Sequence, residues 1–103
     1  MAQVHVLVGA GDEMSRRLRE AQLRTAGCRV SLARTGFEAI VKASCHMPDL
    51  ILLDDSLEDI DAAETRRLIA TCPATSHIPV VRLGSGRPRL PRRVLTIVRQ
   101  AAL

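Results

Sequence analysis

The chain has no tryptophan and no tyrosine, and Phe37 is its one aromatic residue. Its core must therefore be aliphatic, and the stacking surface that single-stranded nucleic acid needs is missing. No apolar run approaches the length of a membrane span, and the N-terminus lacks the pattern of a secretory signal, so a cytoplasmic protein is expected. Cysteine is scarce and odd in number: Cys28, Cys45 and Cys72 read as reduced, small hydrophobic side chains. Cys45-His46 with Cys72 and His77 could supply zinc ligands, but no close pair forms a knuckle, and zinc is not expected. Gly9-x-Gly11 follows an apolar run, yet Met14 stands where a dinucleotide fingerprint needs a third glycine. No nucleophile–base pair and no metal-ligand triad appears, which argues against an independent enzyme. Acidic residues are absent beyond Glu64, while Arg66, Arg67, Arg82, Arg87, Arg89, Arg92, Arg93 and Arg99 all follow it. Within a net charge of +4, this segregation reads either as a solvated helix face or as a surface for an acidic partner.

What is present points to an α/β fold. At 103 residues, 47% of them hydrophobic, the chain has room for one domain spanning residues 1–103. Pro48 to Asp55 organises it: a helix breaker, four consecutive aliphatic residues and two acids. A short apolar run without alternation is the mark of a strand buried on both faces of a parallel sheet. Ligands and chemistry gather at the carboxyl ends of such strands. Asp54 and Asp55 read there equally as functional carboxylates or as caps of the following turn.

The rest of the chain alternates in the same way. Val4 to Val8 forms a first strand, and Asp12 or Ser15 caps a helix with Met14, Leu18, Ala21 and Thr25 on one face. Gly27 ends that helix in a left-handed conformation. Cys28 to Leu32 is a short alternating strand, as at a sheet edge. Thr35-x-x-Glu38 is a capping box whose helix buries Ala39, Ile40 and Ala43. Asp61 and Glu64 open a third helix that turns Thr65, Leu68 and Ile69 inward. Ile78 to Leu83 is a fourth strand with Pro79 near its start. Gly84 to Pro88 is a basic loop, and Pro91 precedes a last helix with Val94, Leu95, Val98 and Ala102 on its buried face. The order βαβαβαβα gives a parallel sheet with helices on both sides.

These residues resemble the receiver domain of bacterial two-component response regulators. The resemblance runs through Ala33-Arg34-Thr35-Gly36-Phe37-Glu38-Ala39-Ile40, Pro48 to Asp54, Asp59-Ile60-Asp61-Ala62-Ala63-Glu64 and Ile78-Pro79-Val80-Val81. It implies a flavodoxin-like fold, here reduced to a four-stranded parallel sheet of order 2-1-3-4 with helices on both faces. It also implies that Asp54 accepts a phosphoryl group from a histidine kinase, aided by magnesium, with Ser85 and Arg87 contacting the group.

The departures are physical. Ala10 and Gly11, or with a one-residue shift Gly9 and Ala10, stand where the family has two metal-binding acids, so Asp12, Asp54 and Ser56 would make only a weak magnesium site. Gly84 stands at the family's Ser/Thr position, and Arg87-Pro88 replaces Lys-Pro. A helix and a strand normally found before that Lys are missing, since Ser85-Gly86 is the whole connection. The fourth strand should thus be a bare edge, covered by the C-terminal helix or paired with a second chain, a homodimer or another partner. The reading that follows is a stand-alone, atypical receiver working through protein–protein contact, with phosphorylation at Asp54 weakened. The second reading is a ligand sensor holding a nucleotide or cyclic dinucleotide with Gly84–Arg87 and with Arg89, Arg92 and Arg93.

Overall fold

The computed structural model describes residues 3–84 and 88–103. Its elements are β1 (His5–Gly9), α1 (Glu13–Thr25), β2 (Arg29–Ala33), α2 (Gly36–His46), β3 (Leu50–Asp54), α3 (Ala62–Thr71), β4 (Val80–Leu83) and α4 (Arg92–Ala101). The four strands pair in parallel in the order β2-β1-β3-β4, as the alternation of elements and the resemblance imply.

Pleating divides the aliphatic residues into two cores. Val6, Val8, Leu50, Leu52, Val81 and Leu83 face α1 and α4, where Leu23, Val94 and Val98 meet them. Leu7, Ile51 and Leu53 face α2 and α3, against Ala39, Ala43, Ala62 and Ile69. Both central strands are buried along their whole length, which is why neither shows polar alternation in sequence.

The helix starts follow local chemistry. Asp12 accepts the Ser15 amide at 2.8 Å, Thr35 Oγ1 the Glu38 amide at 3.0 Å, and Asp61 the Glu64 amide at 2.8 Å. The capping box closes differently from its expected form: the Glu38 carboxylate accepts from the amide of Arg34, one residue before the cap, at 2.8 Å. Gly27 takes φ +88°, the left-handed turn that ends α1.

Two helix faces depart from the apolar spacing. Met14 is 77% and Leu18 41% exposed, and Ala21 and Thr25 are exposed as well. The inward stripe of α1 is Arg16, Arg19 and Leu23. The chain end of the helix decides this: the Cys28 amide returns to the Leu23 carbonyl at 3.0 Å, which pins Leu23 beneath the turn. Residues seven and four positions earlier must then share its face. Their aliphatic stems suit the interior, and the Arg16 guanidinium donates to the Ala10 carbonyl at 2.9 Å. On α4, Val94 and Val98 are buried, while Leu95 is 40% exposed and Ala102 is exposed; Leu90 and Ile97 pack in their place.

The helix α4 covers a face of the sheet rather than its edge. In β4 the Pro79 and Leu83 carbonyls accept from Ile51 and Asp55, so the odd-numbered groups point to β3. The N–H and C=O groups of Val80 and Arg82 point away from the sheet. Arg93 reaches one of them, donating to the Arg82 carbonyl at 3.4 Å. Otherwise, among the described residues, the edge is open.

Candidate functional site

Asp54 ends β3 and is 1% exposed. Its Oδ1 accepts the Ser56 amide at 2.8 Å, an Asx-type turn that lifts the chain out of the sheet. The Ser56 hydroxyl accepts in turn from the amides of Gly11, at 3.1 Å, and Asp12, at 3.0 Å. Asp12, Ser56 and Asp54 are thus linked through one continuous set of hydrogen bonds between the β1–α1 and β3–α3 loops.

That same set commits their polar atoms elsewhere. The amide of Ser15, and then its hydroxyl, hold the Asp12 carboxyl below its ordinary range, and its charge stabilises the start of α1. Asp55 is exposed and pairs with Arg82 at 3.4 Å. Asp59 accepts the amides of Gly36, at 2.8 Å, and Phe37, at 3.1 Å. Burial raises its carboxyl, and those amides outweigh the effect and hold it below the usual value. It is the link between the β3–α3 loop and the start of α2.

The donor set does not fit the magnesium ion that the resemblance implies. Ala10 is fully buried, its amide bound to Ala33 and its carbonyl to Arg16. At Gly11 a Cβ would lie 2.4 Å from the Ser56 carbonyl oxygen, so the two loops meet backbone to backbone where an acidic side chain would have to stand. Among the described residues no group of three His, Cys, Asp or Glu is arranged to hold a metal ion.

Ser85 and Arg87, the expected phosphate contacts, lie outside the described residues. Arg89, Arg92 and Arg93 are exposed. Arg93 turns to β4, where it lines a hollow of about 290 Å³ with Asp55, Arg66, Val80, Val81 and Arg82. A second hollow of about 360 Å³ is lined by Arg82, Gly84, Pro91 and Arg93. Sequence reasoning counted Arg66 and Arg82 among the arginines beyond Glu64 but did not place them at this strand edge. The available signal was Arg82 itself, a charge inside an otherwise apolar terminal strand.

No family model matches the chain. It is 38% identical over 76 residues to the response regulator PleD of Caulobacter vibrioides, which covers 74% of this chain and 17% of that protein. It is 29% identical over 76 residues to the polar-differentiation response regulator DivK of Brucella ovis, covering 74% of this chain and 62% of DivK. The match therefore spans less than two thirds of these relatives. The N-terminal domain of a response regulator receiver protein from Methanoculleus marisnigri superposes with a TM-score of 0.76 at 32% identity, over 92% of this chain and 76% of that one. The chain belongs to the response regulator receiver family. The receiver domain of a sensor histidine kinase from Pseudomonas aeruginosa, 21% identical, shares the fold at a TM-score of 0.83 over 96% of this receiver and 97% of its own chain. That domain has a magnesium ion coordinated in its active-site cleft. No helix among the described residues of the present receiver is long and apolar enough to cross a membrane.

Proposed function

We propose that this receiver is an atypical, cytoplasmic module of two-component signalling that works by constitutive protein–protein contact, with a histidine kinase or another signalling protein as partner. Asp54 serves the fold of the β3–α3 loop rather than a magnesium-dependent phosphoryl transfer. One observation carries this reading: Gly11 packs against the Ser56 carbonyl where a metal-binding acid would be needed. A carboxylate attacking a phosphoryl donor needs positive charge to neutralise the developing oxyanions. With Asp12 engaged at Ser15 and Ala10 at Arg16, a divalent cation would have Asp54 as its main charged ligand. Such a site leaves most coordination to water and binds weakly.

The test is incubation with acetyl phosphate and magnesium, read by intact mass. The expected outcome is an unmodified chain. An adduct that disappears in Asp54→Asn would return the receiver to ordinary phospho-switching and overturn the reading. The nucleotide-sensor alternative is not favoured, because the relatives that the chain matches are response regulators.

A further inference from the structure

The outer edge of β4 lies in a slot. On one side stands Arg66 of α3, which packs on the Ile51–Leu53 face of the sheet; on the other stands Arg93 of α4, which packs on the Leu50–Leu52 face. Between them the N–H and C=O groups of Val80 and Arg82 point outward. Both arginines and Arg82 are exposed. The one acid lining the slot, Asp55, is already paired with Arg82. An edge strand with free backbone groups is a template for another strand, and a neighbour would sit roughly 4.8 Å away.

We propose that this slot takes an extended acidic segment of a partner protein as an added strand beside β4. The inference rests on the protein-contact reading above and specifies its occupant. Backbone pairing with Val80 and Arg82 supplies the register. Carboxylates at neighbouring positions of the segment, whose side chains point to opposite faces, meet Arg66 and Arg82 on one face and Arg93 on the other. Arg93 is then released from the Arg82 carbonyl, which pairs with the incoming amide. Charge decides against a second copy of this chain: edge-to-edge pairing would set Arg66, Arg82 and Arg93 against their own counterparts, and facing like charges oppose pairing.

The full chain, labelled with nitrogen-15, is titrated with a ten-residue peptide of alternating Glu-Glu and Val-Val pairs, which presents carboxylates on both faces of a strand, and with its Lys-for-Glu counterpart, and amide exchange is followed. No phosphoryl donor is present, so the result is independent of the Asp54 experiment. The acidic peptide is expected to slow exchange at Val80 and Arg82, and the basic one is not. Arg66→Glu combined with Arg93→Glu should weaken binding about tenfold, the sum of two exposed ion pairs and their reversal. Val80→Pro removes an outward donor without touching the β3 ladder, so it should abolish the protection of the Arg82 amide while circular dichroism stays that of the parent. Equal protection by both peptides would keep the edge as a contact surface and overturn the acidic occupant. Absence of protection by either, or a peptide-free dimer burying those amides in sedimentation and exchange, would overturn strand addition by a partner.

Discussion

Single residues in this receiver carry obligations that their type does not advertise. His5 is 5% exposed at the amino end of β1, where Nε2 lies 2.6 Å from Ser31 Oγ and Nδ1 lies 3.2 Å from the Arg29 guanidinium. A guanidinium only donates, so Nδ1 accepts and the ring is neutral with its proton on Nε2. Burial, then the charges of Arg29 and His46, lower its pKa from 6.5, and Asp49 opposes them. Because the folded state binds this proton less readily than the unfolded chain, the contribution to stability is fully present above pH 6.5. It is lost as pH falls from there toward the lowered folded value. Urea unfolding at pH 7.5 and 5.5 should show a larger drop in midpoint for the parent than for His5→Gln, and equal drops would refute the assignment. Gly11 is the complementary case, a residue whose importance is the side chain it lacks.

At the scale of elements, α1 is the instructive one. Its apolar residues at helical spacing, Met14 and Leu18, face water, and Leu23 is fully buried on the face it shares with Arg16 and Arg19. The prediction separates the two faces sharply. Leu23→Ala should cost about 2–5 kcal/mol in chemical denaturation, as other large-to-small changes in packed cores do. Met14→Ala should stay within about 0.5 kcal/mol of the parent, as surface changes do. The reverse ranking would mean that α1 is rotated on the sheet. The helix starts were legible from residues alone, because Asp12, Thr35 and Asp61 each act on an amide within three positions. Which face turns inward depends on the neighbours a helix meets, and a polar residue with a long stem can occupy it.

Across the whole molecule, the sheet has unequal cover. β1 and β3 are shielded on both faces, while β4 meets α3 on one side and α4 on the other and, among the described residues, has no strand beyond it. The helix α4 is therefore essential to the fold even though it leaves the edge free. Val94 and Val98 close the core over Leu52, Val81 and Leu83, and burying each contributes about 1.5–3 kcal/mol. That is a large share of a typical total of about 5–15 kcal/mol. A chain ended after Leu90 is expected to lose cooperative thermal unfolding by circular dichroism and to bind a hydrophobic dye. Retention of a sharp transition would show that the sheet and three helices suffice.

The order of elements, the two-sided burial of β3 and the candidate acid Asp54 were written in the sequence, because apolar runs, capping residues and chain order act locally or through topology. The absence of a metal-binding acid pair was visible there too. Whether Asp12 or Ser56 could substitute was decided only in three dimensions, where their hydrogen-bonding groups close two loops on each other. The face of α1 and the slot that brings Arg93 and Arg66 to one strand edge were likewise settled by packing. Each depends on groups far apart in the chain meeting across the sheet, and residue spacing carries no record of such distances.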